Sequence, residues 1–394
     1  MNAAATEPLV GVINAGSSSV KFSFYEGERR ILAGEVDGIG AHPSASATGP
    51  NDEAIPPPDL GAKPPTAPSE VLPAILLWGR ERLGNRRLAA LGHRVVRGGL
   101  RHSRPARVTP ELLAELEALV PLAPLHEPHN LAPIKLAMTL NPELPQVACF
   151  DTAFHRTAPE VEQAFALPYS FYEEGIRRYG FHGLSYEYIA SVLPEHAPEI
   201  ANGRVVVAHL GNGCSACAMR NQVSIATTMG FTALDGLPMG TRCGELDAGV
   251  VLHLIQQKGM SANELVDLLY RRSGMLGLSG ISSDFRELLT SDDPRARFAV
   301  EVFCYRVAGH LAALAAALGG LDGIVFTAGV GENAAPVRSA ICRACGWLGL
   351  ELDAAANRGQ RLRISTPNSR VAAYVIKTDE NLMIARHARA LVGS

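Results

Sequence analysis

The sequence has no surplus of basic residues, no long apolar run, no leader-like start and no even set of spaced cysteines. Each absence removes a class of function. Lys and Arg number 36 against 39 Asp and Glu, a formal net charge of -3. The chain therefore lacks the cationic surplus with which nucleic-acid binders hold phosphates. Mean hydropathy is +0.08, and no unbroken apolar run approaches the ~18–20 residues of a membrane span. The start, MNAAATEPLV, has neither the basic residues nor the apolar stretch of a secretory signal. Seven cysteines, odd in number and scattered, are not a disulfide framework. Two pairs read C-x-x-C, Cys214/Cys217 and Cys342/Cys345. The first falls in an alternating strand pattern, where positions three apart face opposite sides; the second falls in a helical one. Neither reads as a zinc site. A cytoplasmic globular protein is expected, with no nucleic-acid or membrane partner, and 394 residues leave room for two or three domains.

Strand-like and helix-like segments alternate nearly throughout, the pattern of an α/β protein. The opening VGVINAGSSSVKFSFY reads as strand, Gly/Ser turn, strand. Residues 41–73 hold nine prolines and read as a surface excursion outside the core. A strand is expected around Leu91–Val96. A helix capped by Thr109, with Pro110 first, carries Leu112, Leu113, Leu116, Leu119 and Val120 on one face. A second helix near Leu131–Leu140 precedes the strand QVACF, which runs into Asp151. RVVVAHLGNGCSACAMRNQVSIATT then repeats the opening layout, with Asn212-Gly-Cys-Ser answering Asn14-Ala-Gly-Ser. This is a faint internal duplication. Asp247 caps a helix ending at Gly259, Ser261 with Glu264 forms a capping box, and a long Ala/Leu helix runs from Pro294 to Gly319. The domains expected are 1–150, completed by the C-terminal helix 381–394, and 151–380.

Three Gly-rich turns follow apolar strands: Asn14–Ser19, Gly211–Gly213 and Gly329–Asn333. Glycine lets backbone amides approach anionic oxygens. The third turn precedes a helix, a place for a phosphate at a helix N-terminus. One such turn usually just reverses the chain; three in one chain point to a nucleotide. No G-K-[ST] loop and no dinucleotide fingerprint occurs. Arg94, His182 and Arg242 lie beside glycines or at strand edges, where any one alone reads more readily as a surface or structural salt bridge. Asp151 ends an apolar strand, where open α/β sheets present ligand-binding groups. A carboxylate there suits general-base or positioning work, and it also suits a turn cap.

INAGSSSVKF, GHRVVRGG, APLHEPHNL, FDTAFH, RRYGFHG, HLGNG, MGFTALDGLPMGTR, GENAAPVR and TDENLMIAR together resemble the acetokinase family, in that order and over nearly the whole chain. The resemblance implies two duplicated ribonuclease-H-like (actin-like ATPase) α/β domains with the active site in the cleft between them. It also implies a homodimer and reversible transfer of the ATP γ-phosphoryl to acetate, giving ADP and acetyl phosphate, with Mg²⁺ or Mn²⁺. By resemblance, Asp151, Arg94, Arg242 and His182 are catalytic, and Asn14 and Glu380 hold the metal. Ser17, Ser19 and Lys21 line the phosphates. His209, Leu210, Gly211, Asn212 and Gly213 bind nucleotide, as do Asp284, Phe285 and Arg286 and the segment Gly329, Val330, Gly331, Glu332 and Asn333. Arg94, Val96, Leu125, His126, Phe181 and Ala233 form the carboxylate pocket.

A carboxylate is already a nucleophile at neutral pH, so the difficulty is bringing two anions together. Charge neutralisation and alignment are what such a site must supply. An actin- or chaperone-like binding protein would need the ATP turns but not Arg94, Asp151, His182 and Arg242 together. Several positions depart from the family's usual pattern: Ala15 for Cys, Arg97 for His, Glu127 for Asn, Tyr186 for His and Ala233 for Pro. The last leaves room for a longer acyl chain, so propionate is an alternative substrate.

Overall fold

The computed structural model describes residues 7–16, 18–84, 86–120 and 127–393. The chain divides into two compact units, residues 1–153 with 379–394 and residues 154–378. Asp151 and Glu380 both fall in the first.

The first unit is built on β1 (Leu9–Ala15), β2 (Val20–Glu26), β3 (Arg29–Asp37), β4 (Ser44–Thr48), β5 (Leu88–Val95), β6 (Ala106–Arg107) and β7 (Gln146–Phe150). They form one sheet in the order β4-β3-β2-β1-β5-β7-β6. β1 pairs antiparallel with β2 and parallel with β5, and β5 runs parallel to β7. A strand with neighbours on both edges and cover on both faces must be apolar throughout, as LVGVINA is. Phe22, Phe24, Ile75 and Trp78 fill the core on one face. The helix Glu380–Val392 returns from the end of the chain and buries Met383, Ile384, Ala385 and Ala388. Gly92 makes room for it, because a Cβ there would lie 2.5 Å from the Ile384 Cγ2.

The second unit repeats the central pattern with β8 (Arg204–Leu210), β9 (Cys214–Arg220), β10 (Val223–Thr227), β11 (Gly323–Thr327) and β12 (Ala372–Val375). Its order is β10-β9-β8-β11-β12. An antiparallel meander is followed by parallel β11 and β12, matching β3-β2-β1-β5-β7. The duplication legible as two turns is thus a duplication of sheet topology. The 25-residue helix Pro294–Leu318 is apolar and long enough to cross a membrane by composition. It spends that apolarity in the core, burying Phe303, Val307, Leu311 and Leu314.

The caps at Thr109, Asp247, Ser261 and Asp293 are present, including the Ser261/Glu264 capping box. Three expectations need correction. Residues 41–73 are not an excursion outside the core. Ser44–Thr48 pairs with β3, Val71 is buried, and the Trp78 Nε1 donates to the Pro56 carbonyl at 2.8 Å. Proline is tolerated there because the segment lies at the sheet edge and beyond it. The Pro110 helix ends at Glu117, short of Leu119 and Val120. Gly329–Asn333 does precede a helix, Ala335–Ala344, but it is no simple turn: it lies within a short helix, Ala328–Asn333, entered through Ala328 at φ 64°.

Candidate active site

Two neighbouring parallel strands end together in the first unit. Val95 pairs with Phe150, and the Asp151 N–H donates to the Val95 carbonyl at 3.0 Å. That register brings Arg94 and Asp151 side by side. The Arg94 Nε lies 3.1 and 3.0 Å from Oδ1 and Oδ2 of Asp151, and its Nη2 lies 2.5 Å from Oδ2. Asp151 is 1% exposed and Arg94 19%, so this fork is shielded on one side and open on the other. Burial works against the guanidinium charge, but Asp151, Glu380 and Glu127 outweigh it and hold Arg94 firmly protonated. Asp151 is thus saturated by donors, an arrangement that aims an arginine better than it removes a proton.

The segment after β5 is fastened from two directions. The Val96 N–H donates to the Asn130 Oδ1 at 2.9 Å, and the Asn130 Nδ2 donates to the Ala15 carbonyl at 2.6 Å. The Gly98 N–H donates to the Thr152 Oγ1 at 3.1 Å. Val96 is buried. The Asn14 Nδ2 lies 3.4 Å from the Glu380 Oε2, at the first turn of the last helix. One amide oxygen and one carboxylate suit Mg²⁺, which keeps several waters and is completed by substrate phosphates. Among the described residues no cluster of three His, Cys, Asp or Glu side chains competes for that role. The Lys21 side chain is exposed, and its ammonium is 3.9 Å from Glu35 across the β2–β3 pair. Ser19 closes the first turn through its carbonyl, which accepts from the Gly16 N–H at 2.8 Å. Ser17, Leu125 and His126 lie outside the described residues.

In the second unit, His182 sits at φ 58°, a left-handed conformation uncommon for histidine, just before the helix Gly183–His196. Its Nδ1 is 2.8 Å from the Ser215 Oγ, and its ring stacks on His209 at 4.2 Å. Ser215 is held in turn by the Tyr186 hydroxyl at 2.5 Å. The His209 Nδ1 meets the Ser185 Oγ at 2.8 Å, which meets the Thr378 Oγ1 at the same distance. The Arg242 Nη1 donates to the Ala233 carbonyl at 2.9 Å. Its loop is locked against Gly274, where a Cβ would fall 2.0 Å from the Met239 carbonyl oxygen and 2.6 Å from that of Arg242. Gly213 lies where the His182 ring and the Arg242 guanidinium converge. A Cβ there would be 3.3 Å from the His182 Nε2 and 3.8 Å from the Arg242 Nη1. This is an anion cradle bounded by backbone, imidazole and guanidinium.

The other residues predicted to bind nucleotide divide. A Cβ on Gly211 would approach the Ala328 Cβ at 3.6 Å, so the β8–β9 turn adjoins the start of the Ala328–Asn333 helix. The Asn212 carbonyl accepts from the Gly240 N–H at 3.2 Å, and Leu210 is buried. Glu332 turns inward: its Oε1 accepts from the Ala328 and Thr378 N–H groups at 2.9 and 3.2 Å. The Asn333 Nδ2 donates to the Gly329 carbonyl at 2.8 Å. A Cβ at Gly329 would meet nothing within 4 Å, so that backbone is approachable; Val330 is partly buried and Gly331 buried. Asp284 caps the helix Phe285–Thr290 and pairs with Arg286. The Phe285 side chain is buried, packed edge-on against Phe303 at 4.7 Å. Phe181 is buried, and its carbonyl accepts from the His155 Nε2 at 2.9 Å. Sequence reasoning missed Asn130, Ser185, Ser215 and Thr378. Ser215 was within reach as the residue closing GNGCS, but nothing in spacing ties it to His182, 33 positions away.

The acetokinase family model matches residues 9–386. An acetate kinase of Rhodopseudomonas palustris is 53% identical over 95% of this chain and 96% of its own length. The chain belongs to the acetokinase family. Among solved structures, Porphyromonas gingivalis acetate kinase superposes with a TM-score of 0.87 at 36% identity, covering 98% of this chain and 100% of that one. A Francisella tularensis propionate kinase gives 0.90 at 34% identity, covering 97% and 99%. The family has the duplicated actin-like ATPase fold, transfers phosphate to a carboxylate and uses ATP and ADP.

Proposed function

We propose that this chain is an acetate kinase, which transfers the γ-phosphoryl of ATP to acetate and runs the reaction in both directions. The observation that carries the reading is the Arg94–Asp151 fork, joined to family membership. A carboxylate-fixed arginine with one open side is what a small carboxylate substrate needs for orientation.

In the proposed reaction a carboxylate oxygen attacks the γ-phosphorus in line, and the bond to the bridging oxygen breaks. Its electron pair leaves on the β-phosphate of ADP, and no proton has to move. Arg94 orients the carboxylate, and Asp151 fixes Arg94. Arg242 and His182 receive the equatorial oxygens of the transferring phosphoryl, where charge-assisted donors are worth most. Ser215 and Tyr186 fix the His182 ring. Asn14 and Glu380 would hold Mg²⁺, which supplies charge neutralisation on the β- and γ-phosphate oxygens when bound. The Gly211–Gly213 turn and the exposed backbone at Gly329 take the nucleotide.

The working form is a homodimer in this reading. The helix Ala248–Lys258 buries none of its residues within the chain and leaves Val250, Leu252 and Ile255 41%, 55% and 45% exposed. Leu252 and Ile255, three positions apart, share one face of this helix, and exposed apolar surface of that kind supports cover by a partner.

Propionate is the second reading. It is favoured by Ala233, which is smaller than the proline usual there, and by the similarity to a propionate kinase. The hydroxamate assay for acyl phosphate, run with acetate, propionate and butyrate, decides the matter through kcat/KM. ATP hydrolysis indifferent to every short carboxylate would overturn the kinase reading in favour of a nucleotide-gated binding protein. Inversion at a chiral γ-phosphate is the outcome expected for direct transfer; retention would require a covalent intermediate on Asp151.

A further inference from the structure

The Arg94–Asp151 fork is backed by two more ionisable residues, and both are fully buried. Arg97 and Glu127 are each 0% exposed. They are held near one another by the Asn130 link, since Val96 adjoins Arg97 and Asn130 lies one turn along the helix that begins at Glu127. The carboxyls of this group are treated very differently. Asp151 receives three hydrogen-bond contacts from Arg94. Among the described residues, neither Glu127 oxygen has a side-chain donor within hydrogen-bond distance, and the backbone donor that acts on it is the Arg97 N–H.

An ionised carboxylate buried this deeply would draw donors around itself or give up its charge. The charged groups facing Glu127 are Arg94 and Arg97, from the end of β5, and Asp151, from the end of β7. β1 brings no ionisable side chain. Glu117 of the helix Pro110–Glu117 pairs with Lys135 instead, and Glu70 bonds Thr66. Arg80, Glu81 and Arg82 of the helix Leu72–Leu83 are exposed.

We infer that Glu127 is a positioning residue for the carboxylate step, present as a neutral acid while substrate binds, so that Arg94 faces Asp151 and Glu380 but no third negative charge. More of the guanidinium's field is then available to the substrate's carboxylate. Burial, reinforced by Asp151 and opposed by Arg97 and Arg94, pushes the Glu127 carboxyl up to about 8. Ionisation above that pH puts a further negative charge behind Arg94 and weakens its hold on the substrate. Substrate affinity therefore falls on the alkaline side while the nucleotide site is unaffected. The inference rests on the reading that Arg94 receives the carboxylate.

The test follows KM for acetate and KM for ATP from about pH 6.5 to 9.5 in the wild type and in Glu127→Gln, which has the shape of the neutral acid. The wild-type KM for acetate is expected to climb several-fold above about pH 8, and that of the variant to stay flat, with KM for ATP following one course in both. The same alkaline climb in both proteins overturns the inference. If the variant does not fold, difference infrared spectroscopy of the wild type serves: a protonated-carboxyl stretch present near pH 6.5 and lost by pH 9.5 supports it, and no such band overturns it. Arg94→Ala separates the two readings. An unchanged KM for acetate in that variant would bring down the site reading itself. A raised one, with Glu127→Gln matching the wild type at every pH, would bring down only this inference.

Discussion

Asn14 and Glu380 stand 366 positions apart in the chain and meet at 3.4 Å, the side-chain amide of the first strand against the carboxylate that opens the last helix. The pair is small and oxygen-bearing, which suits a cation completed by phosphates. Glu380→Gln keeps the shape and the contact but removes the charge. It should raise the Mg²⁺ concentration for half-maximal rate by roughly 10- to 100-fold. A metal titration at saturating acetate would show it; an unchanged midpoint would place the ion elsewhere.

Arg242 is aimed by a loop that its own carbonyl and the Gly274 backbone lock in place. Arg242→Ala should lower kcat by roughly 10³-fold or more, the scale of a lost arginine finger. The far-ultraviolet dichroism and Tm should be little altered, because the side chain's hydrogen bonds to the Ala233 carbonyl and the Met239 Sδ join neighbouring stretches of the same loop region.

Gly213 has no side chain where the His182 ring and the Arg242 guanidinium converge. Gly213→Ala sets a methyl 3.3 Å from the His182 Nε2. The ring must shift by tenths of an ångström, and misplacement on that scale can cost roughly 10²-fold in rate. Steady-state kinetics should show the loss in kcat, with the urea midpoint nearly unmoved.

Glu127 carries a stability signature separate from substrate affinity. Its folded-state pKa of about 8 stands above the ordinary 4.5, so the folded chain holds a proton that the unfolded chain releases. The associated stability is complete below about pH 4.5 and is lost as pH rises through about 8. The wild type should therefore lose stability relative to Glu127→Gln across that window, at up to ~1.4 kcal/mol per pH unit. Urea unfolding at pH 5.5 and pH 8 compares the two; a constant difference would rule out the shift.

Ala233→Pro tests the acyl pocket. Refilling the space should lower kcat/KM for propionate relative to acetate by roughly tenfold, within the ~1–3 kcal/mol that one methylene is worth. An unaltered ratio would assign the selectivity to other residues.

Much of this was legible in the chain, for identifiable reasons. Helix caps are local, so Thr109, Asp247 and Ser261 announced themselves. The apolar run VACF read as a strand, and it led straight to Asp151. What stayed hidden depends on contacts between distant segments. Nothing local says that the serine of GNGCS holds His182, or that Asn130 links Val96 to Ala15. Phe285 sits in a motif shared with ligand-binding neighbours, yet its side chain serves the core. Residues 41–73 misled because proline density reads as loop, whereas an edge strand needs ladder hydrogen bonds on only one side. GVGEN misled because its glycines mask a helical turn that Glu332 organises from within.

The helix Glu380–Val392 also sets an order of events. The unit whose first strand is Leu9–Ala15 lacks its cover over β1 and β5, and the Glu380 carboxylate beside Asn14, until that helix has been made. Residues 154–378 have their own sheet and core complete before that point. On the ribosome, the half that begins first is therefore finished last. A chain cut before that helix would carry a finished second unit and a first unit whose sheet is open over β1 and β5.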